Sequence, residues 1–347
     1  MMRSLRVIGS SCALGAILSA AIPAAVLAQA EAPPRPFLRQ AIGLTDAQLA
    51  ALEKGEAVIK QLTTTEKAEV AAFGVVKVKG TQDAFLQKIK QIHVFRKVPE
   101  VLQIGRFSAV PTVADLQGLT WEPADLDALK RCKPGQCDVK IGTAGLERLQ
   151  KEIDWPAKDA PAKAEALIKD QLIAHVKAYM AGGTAAMGQI VDKKQPKALS
   201  EEFRALLRNS PYLPAYIPEF NQYLEDYPNG KLAGAEDVLY WTKDNFGLKP
   251  VVSITHATFW KRTGPQAGTI VALKTLYASH FFNASLEMIV AVDTPDRTGF
   301  YLMNLYRTRI DPPTGMLSGV LMGRVKSGVE QGVRENLKTA KARMEGK

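Results

Sequence analysis

Beyond residue 30 this chain has no uncharged apolar stretch near the roughly 20 residues that a bilayer-spanning helix needs, so no internal membrane span is expected. Cysteine is scarce: three residues, Cys12, Cys132 and Cys137, are too few for a disulfide-stapled scaffold, and none neighbours a histidine as a zinc site would require. The chain also lacks a Gly-x-Ser-x-Gly elbow, a His-Glu-x-x-His pair, a Gly-x-x-x-x-Gly-Lys-Ser/Thr loop and a dinucleotide fingerprint. The motif-defined hydrolases, nucleotide enzymes and zinc proteases therefore lose support, and neither a cofactor nor a metal is expected. Lys and Arg form no stripe interleaved with aromatics, which argues against a nucleic-acid partner. There is no internal repeat and no low-complexity tract.

What is present begins with an export signal. Arg3 and Arg6 precede a charge-free run from Val7 to Leu27, which ends in Leu27-Ala28-Gln29-Ala30, a small-x-small cleavage pattern. Pro23 and the many Gly, Ser and Ala residues distinguish the run from a membrane anchor. A signal peptide over residues 1–30, cleavage near Ala30 and a periplasmic or secreted mature chain are expected. Loss of the two arginines lowers the formal charge from +10 to +8. That charge is scattered as on a solvated face, while remaining suited to an anionic membrane surface. In an oxidising compartment Cys132-Lys-Pro-Gly-Gln-Cys137 is expected to close a disulfide across its Pro-Gly turn. So short a loop contributes about 2 kcal/mol, and its role is local.

The remaining chain reads as an α+β protein. Residues 31–55 hold a Pro-rich linker and a short helix that Thr45 caps and Gly55 ends. Strands are expected at 57–62 and 70–78, then a helix from Gln82 with Phe85, Ile89 and Ile92 on its apolar side. Weaker strand signals follow at 101–107 and 137–141, with helices near 123–131, 162–180 and 200–208. Tyr212, Tyr216, Phe220 and Tyr223 have helical spacing, but Pro214 and Pro218 argue against one helix and leave an aromatic lip or plain packing. Val252, Ile254, His256, Thr258 and Trp260 alternate along one strand face. Residues 269–292 form one bent strand or two strands broken near Asn283-Ala284, and 300–310 alternates again. From Leu317, apolar residues recur every four positions through Leu321, Val325, Val329, Val333 and Leu337, one stripe of a long sheet-facing helix.

The segment 56–92, with Gly74-Val-Val-Lys-Val-Lys-Gly80 leading into a helix, and the segment 251–337 together resemble the helix-grip arrangement of the START-like superfamily. The wording of 95–139 and 240–282, including Tyr277-Ala-Ser-His-Phe281, is also similar to uncharacterised exported bacterial proteins. The resemblance implies a single domain over 56–347, a curved antiparallel sheet packed on a long C-terminal helix, with a helical insertion at about 142–235. It further implies a cavity between sheet and helix for a lipid or other hydrophobic small molecule. Fold alone does not choose among binding, carriage and chemistry.

Six residues are candidate ligand contacts: His256, Trp260, Tyr277, His280, Asn304 and Arg307. Imidazole donates and accepts hydrogen bonds near neutral pH, so His256 and His280 suit a polar anchor or an acid–base pair, or else are hydrogen-bonded residues of half-buried strands. Arg307 near a strand end suits an anionic headgroup. The first expectation is a non-enzymatic binder of a hydrophobic molecule with no catalytic residues. The alternatives are an acid–base enzyme using His256 and His280, or an envelope protein-interaction module.

Overall fold

The computed structural model describes residues 33–247, 249–264, 266–313 and 315–346, so the expected signal peptide lies outside the described residues. Helix α1 (Asp46–Glu53) opens with Thr45, whose side chain accepts from the Gln48 amide while Gln48 returns a bond to the Thr45 backbone. Strands β1 (Val58–Leu62) and β2 (Glu69–Lys79) form the first hairpin, followed by α2 (Gln82–Lys90), α3 (Ile92–Phe95) and β3 (Val101–Arg106). A helical region then runs through α4 (Pro123–Lys130), α5 (Thr143–Glu152) and α6 (Ala160–Gly182). The short pair β4 (Gln189–Ile190) and β5 (Lys197–Ala198) precedes α7 (Leu199–Arg208), α8 (Tyr212–Tyr216) and α9 (Pro218–Asp226). Five long strands follow, β6 (Glu236–Asp244), β7 (Val251–Arg262), β8 (Gly268–Ala278), β9 (Phe282–Asp293) and β10 (Gly299–Ile310), and α10 (Ser318–Glu345) closes the chain.

All eight strands of the main sheet pair antiparallel, in the order β1-β2-β10-β9-β8-β7-β6-β3. The first hairpin therefore joins the last strand, and β6 to β10 form a continuous meander. Strand periodicity gives the sheet two unlike faces. One face carries Val76, Leu302, Ile289 and Val271 against α2 and the C-terminal half of α10. There Gly74 lets α10 approach, because a Cβ at that position would lie 2.6 Å from Leu337 and Val333 side-chain carbons. The opposite face is covered by three helical groups. Residues 37–52 cover Phe73 and Tyr301, α7 to α9 cover Trp260 and Met288, and α4 to α6 cover Trp241 and Ile254.

Several sequence expectations shift. Residues 137–141 form no strand, because their backbone bonds split between segments: Cys137 donates to Asp192 and Lys140 to Ser279. The β8–β9 break falls at Ser279-His280-Phe281, where Phe281 adopts φ +58°, ahead of Asn283-Ala284. The aromatic segment is two short helices, with Pro218 in the first turn of α9, a position that needs no backbone N–H. Val333, Leu337 and Ala340 are the buried residues of α10, while Leu317 and Leu321 are 66% and 41% exposed, so only its second half grips the sheet. Cys132 and Cys137 do form the expected disulfide, and the enclosed Gly135 amide donates to Val191. Among the described residues no helix is long and apolar enough to cross a membrane.

Candidate functional site: a polar cleft beside the C-terminal helix

The periodicity that buries Val271 and Ile289 under α2 carries polar side chains farther along the same face. On β9, Glu287 and Ser285 continue the line of Ile289; on β10, Asn304 and Tyr306 continue that of Leu302; on β6 and β7, Tyr240, Asp244 and Thr255 share this side. With Arg96, which follows α3, all of these polar residues except the more deeply buried Asn304 bound a cleft of about 70 Å³, room for about two waters. Leu273 contributes an apolar patch, and Phe246 and Phe282 meet edge-to-face at 5.7 Å.

Glu287 is the hub. Its Oε1 accepts from Asn304 Nδ2 at 2.6 Å and from Asn336 Nδ2 of α10 at 3.3 Å, while its Oε2 lies 3.8 Å from Arg96 Nη1. Asp244 accepts from Thr242 Oγ1 at 2.5 Å. Burial pushes the Asp244 carboxyl above the ordinary carboxylate range, against the pull of Arg96 and Thr242. Arg96 is held firmly charged: burial opposes its charge, but Tyr240, Glu287 and Asp244 outweigh burial. Burial also raises Tyr240 and Tyr306, which stay neutral donors. Two polar atoms are left over. Asn304 Oδ1 and Arg96 Nε are buried without a hydrogen-bond partner. The cleft can therefore accept donors at the Glu287 and Asp244 carboxylates, and donate from Arg96 and the tyrosines.

Of the six residues singled out in the sequence, Asn304 alone stands on this face. His256 and Trp260 share the opposite face, as their alternation implied. His256 Nε2 bonds Asp237 Oδ1 at 2.8 Å and its Nδ1 bonds Tyr179 at 2.8 Å, while Trp260 stacks on Phe220 and donates to the Ala233 carbonyl. Burial lowers the His256 pKa despite Asp237, so the neutral ring donates from Nε2 and accepts the Tyr179 hydroxyl at Nδ1. Tyr277 donates to the Lys140 carbonyl at 2.8 Å, and His280 is bound to Asp125 at 3.0 Å and the Asp138 carbonyl at 2.9 Å. Arg307 is paired with buried Glu69. The structure thus gives His256 and His280 separate carboxylate partners and occupies Arg307 inside the fold.

Arg96, Tyr240, Asp244, Glu287 and Tyr306 were not singled out by sequence reasoning. A signal exists for one of them: Glu287 stands between Leu286 and Met288 inside an otherwise apolar strand, where a carboxylate needs a specific reason. No protein-family model and no curated protein matches the chain.

Proposed function

We propose that the protein is an exported, periplasmic binder of an amphipathic small molecule or lipid, built on a START-like helix-grip scaffold. The supporting scaffold features are the order of hairpin, meander and closing helix, together with α10 packed on β2 and β10. Export is supported by the N-terminal leader pattern.

The observation that carries the reading is the contrast between the cleft and its surroundings. The cleft over the sheet is small and lined mostly by polar residues, one of which, Arg96, has a buried Nε without a hydrogen-bond partner. A few polar atoms fill its volume; an acyl chain does not. Beside this face, the turn leading into α10 and the first turn of that helix expose Met316, Leu317, Val320 and Leu321, and the only charges from there to Glu330 are Arg324 and Lys326. A ligand with a compact hydroxylated or cationic head and an apolar tail suits both features. The same turns suit contact with an anionic membrane surface as the source of that ligand.

Thermal denaturation with submicellar dodecyl glucoside, dodecyltrimethylammonium and dodecyl sulfate tests the reading. The neutral and cationic amphiphiles are expected to stabilise the protein and the sulfate to fail, because Glu287 and Asp244 outnumber Arg96 in the cleft. Equal response to all three, or no response to any, sinks it.

A further inference from the structure

The opposite face of the sheet holds a second group of buried polar side chains beside a different opening. Lys274 projects from β8 toward α6 and α7 and is 1% exposed. Its Nζ donates to Thr184 Oγ1 at 2.6 Å, stands 3.9 Å over the Phe203 ring and lies 5.1 Å from the Tyr179 ring centre. His256 is its direct cross-strand partner on β7, and Arg204 of α7 repels it. Among the described residues no carboxylate pairs with this amine. Burial first, then Arg204, lowers its pKa to about 7, so a large fraction is a free nucleophile at neutral pH. An enclosed lysine without a counter-charge disfavours folding, and packing alone does not explain it.

Thr184 connects that amine to solvent. With Gly182, Arg204, Tyr227 and Asn229 it lines an open pocket of about 290 Å³. Tyr227 also packs on His256, with ring centres 4.4 Å apart. The amine therefore lies one side chain behind the pocket floor.

We propose that Lys274 is a covalent attachment site for a small aldehyde or ketone that enters through the pocket floored by Thr184. The Nζ lone pair attacks the carbonyl carbon and forms a C–N bond, while the carbonyl π pair moves to oxygen. Proton transfer from nitrogen to oxygen gives the carbinolamine. Loss of that hydroxyl with the second nitrogen proton releases water and leaves the imine. Amine and carbonyl become imine and water with no oxidant or reductant. This site lies on the other face from the amphiphile cleft and stands or falls separately from it.

The test treats the full-length protein with acetaldehyde and sodium cyanoborohydride at pH 7, followed by peptide mass spectrometry. Lys274 is expected to be alkylated at least about tenfold faster than exposed Lys54, since an ordinary lysine is almost wholly protonated at that pH. Thr184→Ala, which removes the hydroxyl and opens the floor, is expected to accelerate labelling at Lys274 further. Labelling of Lys54 with Lys274 unmodified, or a Thr184→Ala rate no greater than wild type, overturns the proposal.

Discussion

Asn304 gives its side-chain amide to Glu287 across neighbouring strands at 2.6 Å and keeps its own oxygen unpartnered. Glu287 thus ties the buried Asn304 amide to the cleft while also facing Arg96 at 3.8 Å. Removing the carboxylate leaves a cation and two amides without their shared partner. Glu287→Ala is expected to cost about 1–3 kcal/mol in urea denaturation. Glu287→Gln is expected to cost less, since an amide oxygen still accepts from Asn304, and to weaken stabilisation by the cationic amphiphile more than by the neutral one. Equal losses for Ala and Gln refute this role.

Lys274 makes stability depend on alkaline pH. Its amine has a folded pKa of about 7 against an ordinary value of 10.5, so between those limits the unfolded chain binds more protons than the folded one. Stability from this group therefore rises with pH from 7 to 10.5, and below pH 7 its full penalty is present. Lys274→Met is expected to stabilise the protein at pH 7 by on the order of 3–5 kcal/mol, with the gain shrinking toward pH 10.5. Chemical denaturation at pH 7 and pH 10 checks it, and a pH-independent difference contradicts it.

Local pattern made much of the fold legible and left the site largely hidden. Ile254, His256, Thr258 and Trp260 share a face as their alternation indicates, because strand period is a local property. Which face borders a cleft is decided by what covers it, and the covering helices α6 and α9 lie far away in the chain. Hence His256 meets Tyr179 of α6, and Arg307 meets Glu69 of the first hairpin, contacts that spacing does not reveal. Strand β6 is hard to read from pattern because its Glu236, Asp237, Lys243 and Asp244 place charges at both ends. Two of these charges are used inside the protein: Asp237 holds His256, and Asp244 lines the cleft. The β8–β9 turn is equally hard to place because Ser279, His280 and Phe281 lack glycine, proline and asparagine.

His256 is expected to resist protonation. Burial depresses its pKa below the ordinary 6.5, so the unfolded chain takes up a proton first as pH falls, and this contribution to stability declines below pH 6.5 toward the folded pKa. Nitrogen-detected NMR should show a neutral ring with its proton on Nε2 at pH 6. Tyr179→Phe, which deprives Nδ1 of its donor, is expected to destabilise the protein by about 1 kcal/mol. An imidazolium signal at pH 6 refutes the assignment.

The exposed turns of α10 predict a membrane contact separable from folding. Leu317 and Leu321 lie on the helical stripe that Val333 and Leu337 continue into the core, yet nothing buries them. Leu317→Ser with Leu321→Ser removes apolar surface already in water, so urea stability is expected to change by less than about 0.5 kcal/mol. Binding to vesicles containing anionic phospholipid is expected to fall several-fold, since each lost side chain forfeits about 1.5–3 kcal/mol of burial at most. Arg324→Gln with Lys326→Gln is expected to weaken the same binding mainly at low salt, because exposed charges act within a Debye length. Flotation of the protein with neutral and anionic vesicles reads both effects. Unchanged flotation of the leucine variant shows that this surface does not meet the membrane, whatever the cleft binds.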